Sequence, residues 1–153
     1  MKRLTIEPFK SLQKADFYSL RFPDKEICET DDFISRFVND LLYQKDLQKI
    51  VYWLNKIGQE SGALERYFRP EKGAKALPIY VSKLRLYCIR VSDDVLILGN
   101  GGVKTTQKVQ DSPDCYPAFY DITSIERIFR KRKANGQIKI SGRKIEGNLN
   151  FEI

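Results

Sequence analysis

The chain has no histidine, and its three cysteines, Cys28, Cys88 and Cys115, stand far apart with no Cys-x-x-Cys pair among them. Without histidine there is no imidazole to act as general base, and no cysteine–histidine nucleophile pair can form. Scattered thiols and no imidazole also give no basis for a structural zinc site, so neither a metal nor a cofactor is expected. Cys88, inside an apolar run, reads as a small core residue. No apolar stretch approaches the roughly 18 residues that a membrane span needs. Residues Met1 to Pro8 include Lys2 and Arg3 but no apolar block behind them, so no signal peptide is expected. The expected location is cytoplasmic, with no membrane partner. Internal repeats and low-complexity linkers are missing too, and 153 residues suit one domain, 1–153, with a core of its own.

What the chain does have is positive charge. Lysine and arginine number 27 against 20 aspartate and glutamate, a formal net charge of +7. That balance favours a polyanionic or acidic partner: nucleic acid, the ribosome, or an acidic protein.

Phe17 to Phe22 reads as a strand closed by Pro23-Asp24. Asp31 or Asp32 is placed to cap a helix carrying Phe33, Ile34, Phe37, Val38, Leu41 and Leu42 at helical spacing. A second helix follows the break at Gln44-Lys45-Asp46, with Leu47, Ile50, Val51, Leu54 and Ile57 on one face, and Gly58 or Gly62 ends it. So short a connection predicts an antiparallel helix pair. Ala63 to Pro70 bridges to a strand at Ala76 to Val81, which Pro78 suggests lies at an edge. Leu84 to Arg90 and Val95 to Leu98 flank Ser92-Asp93-Asp94 as a hairpin. Residues 107–118 read as loop, Ile122 to Ala134 as a basic helix, and Gln137 to Ile140 with Lys144 to Ile153 as a last strand pair. Helices ahead of a run of antiparallel strands predict an α+β fold, with the helical hairpin packed on one face of the antiparallel sheet.

The hairpin carries the chemistry. Arg85 and Tyr87, two apart on a strand, share a face. The exit Gly99-Asn100-Gly101-Gly102 lets the chain turn and brings Lys104 to that neighbourhood. The spacing is not that of a phosphate-binding loop, and no helix is expected to begin at Thr105. Arg85 can match phosphate oxygens with its planar fork, Lys104 can act as base or second clamp, and Tyr87 and Tyr80 can orient or stack a base. Arg66, Arg69, Arg90 and Lys108 suit backbone phosphates. The run Arg130-Lys131-Arg132-Lys133 is either a solvated helix end, favourable with the helix dipole, or a footprint for RNA or ribosome.

The helix pair, Lys83-Leu84-Arg85-Leu86-Tyr87, Val95 to Leu98 and Val103-Lys104-Thr105-Thr106-Gln107-Lys108 together resemble the RelE/ParE toxin superfamily, in particular its HigB and phage-derived Gp49-like branch. The resemblance spans about residues 17–113 and leaves 114–153 as a C-terminal extension of basic helix and extra strands. It implies a toxin of a bacterial toxin–antitoxin system, a ribosome-associated mRNA endoribonuclease (mRNA interferase) restrained by a cognate antitoxin. Arg85, Lys104 and Tyr87 would then be catalytic. The chain departs from the family pattern at Lys104-Thr105, where a doubled lysine is usual, in its length and in its missing histidine. These departures motivate the alternative, a non-catalytic RelE-like module that binds nucleic acid or an acidic partner protein.

Overall fold

A computed structural model describes residues 1–71, 73–78 and 82–153. Strands β1 (Arg3–Ser11) and β2 (Asp16–Arg21) come first, then helices α1 (Glu29–Phe37) and α2 (Gln44–Lys56). Strands β3 (Arg69–Glu71), β4 (Ala74–Leu77), β5 (Leu84–Ser92) and β6 (Val95–Val103) lead to helix α3 (Tyr116–Ala134). The chain closes with β7 (Ile138–Ser141), β8 (Lys144–Gly147) and β9 (Asn150–Glu152). Among the described residues seven strands form one sheet in the order β3-β4-β5-β6-β2-β1-β9, and β7 and β8 pair as a separate hairpin. The fold is α+β with a mostly antiparallel sheet; among the described pairings β2 with β6 is the parallel one.

Strand alternation explains the layers. On β5, Leu84, Leu86 and Cys88 point to one face and Tyr87 and Ile89 to the other, and Leu96 and Leu98 against Val95 and Ile97 do the same on β6. Phe33 and Phe37 of α1 with Leu47, Ile50 and Leu54 of α2 cover the first face. Phe119, Ile122, Ile125 and Phe129 of α3 cover the second. A sheet buried on both faces has no open side for the Arg85/Tyr87 surface that the sequence suggests.

Several boundaries differ from expectation for local reasons. α1 begins after Cys28, three residues ahead of Asp31, so Asp31 and Asp32 sit in the first turn and favour the helix dipole instead of capping it. It stops at Phe37 because the Asp40 carboxylate accepts hydrogen bonds from the Leu42 and Tyr43 amides, forming a turn. Leu41 and Leu42 are therefore exposed, not on the apolar stripe. After α2 one wider turn, Ile57–Ser61, carries the chain to Gly62. Gly62 has φ +78°, and a Cβ there would lie 2.7 Å from the Asp93 carbonyl oxygen, so glycine ends the helix. β4 lies inside the sheet between β3 and β5, so the edge assigned through Pro78 belongs to β3; Ile79 to Val81 lie outside the described residues. α3 starts at Tyr116, six residues early, with Pro117 in its first turn.

The first strand was not anticipated. Leu4 and Ile6 alternate with exposed or half-exposed neighbours, and both are buried under α3. β1 pairs with β9, so Lys144 to Ile153 splits into one arm of a hairpin and an outer strand of the main sheet. Residues 114–153 thus supply one entire helical layer and a strand of the shared sheet.

Candidate functional site

Arg85 and Tyr87 stand on the sheet face that α3 covers. Tyr87 is 0 % exposed, and Phe119 meets its ring edge-on at 5.7 Å between centroids. Burial and the adjacent Cys115 thiol push its hydroxyl well above the ordinary tyrosine range, so it stays a neutral phenol. Arg85 is 6 % exposed; its Nη1 donates to the Ser82 and Leu84 carbonyls, and its Nε has no hydrogen-bond partner among the described residues. Burial, with the Arg69 charge nearby, lowers its pKa from the ordinary arginine value. Both residues are interior groups, and neither presents a surface to a phosphodiester.

Lys104 follows β6, its amide bonded to the Lys83 carbonyl at 2.6 Å, and its charge and that of Arg85 both act on the Cys115 thiol. Burial nonetheless holds that thiol above its ordinary range. Lys104, Lys108 and Glu71 share an open cleft of about 390 Å³ with Gln107, Val109 and Phe119. The hairpin therefore does bring Lys104 towards Arg85, with a carboxylate, Glu71, that sequence spacing gave no reason to add.

The other cations separate into groups. Arg66 is exposed in the short turn Glu65–Tyr67, over the Tyr67 ring at 5.2 Å. Arg69 lies on edge strand β3, and Tyr80 falls outside the described residues. Arg132 leans on the Phe151 ring at 4.4 Å and donates to the Asn148 and Asn150 carbonyls at 2.9 and 2.6 Å. It latches β9 to α3, a structural use that the basic run concealed. Lys131 is exposed.

Arg130 and Lys133 come together. They rim a cleft of about 400 Å³ between β5 and α3 whose floor is Ile89, Val91 and Phe129, closed by Glu126 and Ala134. Arg90, which pairs with Leu96, projects to the α1/α2 face instead: its Nε donates to the Ala63 carbonyl at 2.6 Å and its Nη2 to Asp93. Glu126, Arg130 and Lys133 fall on one face of α3 at spacings of four and three.

A second polar cluster was not read from the sequence. At Ser19 and Leu98 the parallel pairing of β2 with β6 ends, and Thr30 of α1 bonds into the gap, donating to the Gly99 carbonyl at 3.0 Å. α1 and α3 thus meet beyond these strand ends from opposite faces. Around a hollow of about 320 Å³ there lie Glu29, Asp32 and Arg36 of α1, Asn100 of β6, and Asp114 and Asp121. Arg36 donates to Asp114 at 2.7 Å, to Asn100 at 3.0 Å and to the Gly101 carbonyl at 2.9 Å; Asn100 donates to Asp32 at 2.8 Å. Lys2 reaches Asp121 at 2.9 Å, and Lys25 approaches Glu29 at 3.6 Å. Burial raises the pKa of both Glu29 and Asp121. The only sequence signal was the glycine-rich exit: a Cβ on Gly102 would strike the Asp114 carbonyl, so glycine lets the loop before α3 close over β6.

Among the described residues, no group of three or more histidine, cysteine, aspartate or glutamate side chains could hold a metal ion, and no helix is long and apolar enough to cross a membrane. No protein-family model matches the chain, and no curated protein or solved structure is significantly similar to it.

Proposed function

We propose that the chain is a non-catalytic module that binds nucleic acid through the carboxyl-terminal half of α3. The observation that carries this reading is the convergence of Arg130 and Lys133 on one apolar-floored cleft. Arg127, Arg130, Lys131 and Lys133 all remain exposed along the same helix end. A phosphate backbone carries condensed cations that exposed lysines and arginines release on binding, so affinity falls steeply with salt. Fluorescence anisotropy with a labelled 20-nucleotide RNA tests it. Between about 50 and 200 mM salt, affinity falls log-linearly. An Arg130→Ala/Lys133→Ala variant binds about ten-fold or more weakly, with a salt slope reduced by about two, while its circular dichroism is unchanged. Binding that ignores salt, or no binding, overturns the proposal.

A second reading keeps the toxin-like endoribonuclease, with RNA or ribosome and an antitoxin as partners. Its support is the cleft that Glu71 shares with Lys104 and Lys108. In that reading Glu71 accepts the 2′-hydroxyl proton as that oxygen bonds to phosphorus, the 5′-oxygen departs with a proton from Lys104, Lys108 holds the phosphate, and Arg85 acts on the developing charge from beneath. The burial of Arg85 and Tyr87 ranks it second. Induced expression in a bacterium separates the two. Growth arrest with messenger cleavage, lost in Lys104→Ala and Glu71→Gln, supports the nuclease; normal growth with intact messenger removes it.

A further inference from the structure

We infer that the hollow between β1 and the α1–α2 pair binds a small organic cation, an apolar body that carries a protonated amine. The inference goes beyond the nucleic-acid reading and concerns the face of the sheet opposite α3.

The hollow begins with a local break in β1. Pro8 pairs with Tyr18 and Lys10 with Phe17, so Phe9 is an extra residue in its strand, a β-bulge. Its ring packs on the α1–α2 side of the sheet. Phe9 and Phe17 from the strands, Ile34 from α1, and Val51 and Leu54 from α2 line a space of about 430 Å³. Phe17 and Leu54 are buried, while Phe9, Ile34 and Val51 are half-buried, so an accessible mouth leads to an apolar floor. Leu12 closes the end beyond α2, where a Cβ added to Gly58 would lie 2.1 Å from its Cδ1. A hollow shut at one end suits a compact ligand better than a helix laid along it, and its volume lies within the range of small-molecule sites.

The mouth sets the sign of the charge. Among the charged side chains that line the hollow, Glu7, Glu26 and Asp31 are acidic and Lys10 is basic. Arg21 answers Glu7 at 2.9 Å, and Lys10 lies over the Phe9 ring at 5.9 Å. Glu26 and Asp31 are exposed, and neither side chain enters an ion pair or hydrogen bond with a described residue. A chain of net charge +7 thus places two unanswered carboxylates beside an apolar hollow. They repel a phosphate backbone or a fatty-acid carboxylate and attract an ammonium group. An amine satisfies both halves of the site: its apolar part leaves water for the floor, and its N–H groups donate to the carboxylates.

Isothermal titration calorimetry of the intact chain with octylamine, octanol and octanoate tests this. Octylamine binds about five-fold more tightly than octanol, and octanoate binds most weakly. Each methylene removed from the amine weakens it about four-fold. Glu26→Gln/Asp31→Asn, two exposed changes, brings the amine down to the affinity of the alcohol and leaves the alcohol as it was. Val51→Trp, which fills the hollow from α2, weakens amine and alcohol together. Equal affinity for the three probes, or tightest binding of octanoate, overturns the choice of a cation. No binding of any probe, or an amine affinity that Val51→Trp leaves unchanged, overturns the site itself. RNA affinity, measured on the same samples, reports on the nucleic-acid reading separately.

Discussion

At its amino end α3 brings Asp121 under Lys2 and, through the preceding Asp114, takes hold of Arg36 and the Val103 amide. At its carboxyl end the same helix leaves Arg130, Lys131 and Lys133 in water, over a cleft with an apolar floor. Asp121 is buried there and is paired with Lys2, because a buried charge without a partner is costly, while Asp114 and Arg36, both partly exposed, answer each other. They join α1, β6 and α3 and have little left to offer a ligand. Apart from Arg132, which latches β9, the carboxyl-end charges are solvated and contribute little to stability. One end of the helix holds the fold together, and the other is free to bind.

Three changes on the amino side sharpen that contrast. Ile122 is fully buried, with its Cδ1 against Gly99. Ile122→Ala loses about 3 kcal/mol in urea unfolding, while the folded fraction binds RNA as before. A large loss of RNA affinity at unchanged stability would break the division between the two ends. Arg36→Ala removes a cation and about 1 kcal/mol of stability, because the Asp114 and Asn100 contacts go but the site is partly exposed. Its RNA affinity and salt slope stay as in the parent chain; a fall in the slope would place Arg36 in the binding surface.

The smallest effect is in pH. Glu29 faces Lys25, Asp32, Asn100 and Asp121, and burial leads the causes that raise its pKa in the folded chain. The folded state therefore holds this proton more tightly than the unfolded state does, and stability is lost as pH rises from the ordinary carboxylate range through the folded value. Asp121 adds a loss of the same sign. Glu29→Gln accordingly melts slightly above the parent at pH 7, and the gap closes towards about pH 4, where the parent glutamate takes up its proton. A gap that widens as pH falls would reverse the assignment.

Much of this was legible before any coordinates. The apolar stripes of α1 and α2 and the β5–β6 hairpin follow from spacings of 3.6 and 2, and those periods survive folding. The missed parts are non-local. Nothing near Leu4 and Ile6 announces that their partners are at 18–21 and 150–152. The interior position of Arg85 and Tyr87 depends on which face a helix thirty residues later will cover, and alternation marks two faces without saying which is open. Of the basic run, Arg130 and Lys133 turn to the cleft while Arg132 turns to Phe151; helical phase separates them, but only the packed helix fixes the phase. Glu126 and Glu71 were passed over because isolated acids in a basic chain carry no spacing signature.

Strand β9 has a consequence for how the molecule is made. β1 lies between β2 and β9, and that outer partner is a three-residue segment at 150–152. During synthesis β1 leaves the ribosome well before β9, yet its outer row of amides and carbonyls has no cover until residues 150–152 appear. Until then a nascent chain carries an adhesive β edge, and the arrival of β9 is the event that seals it.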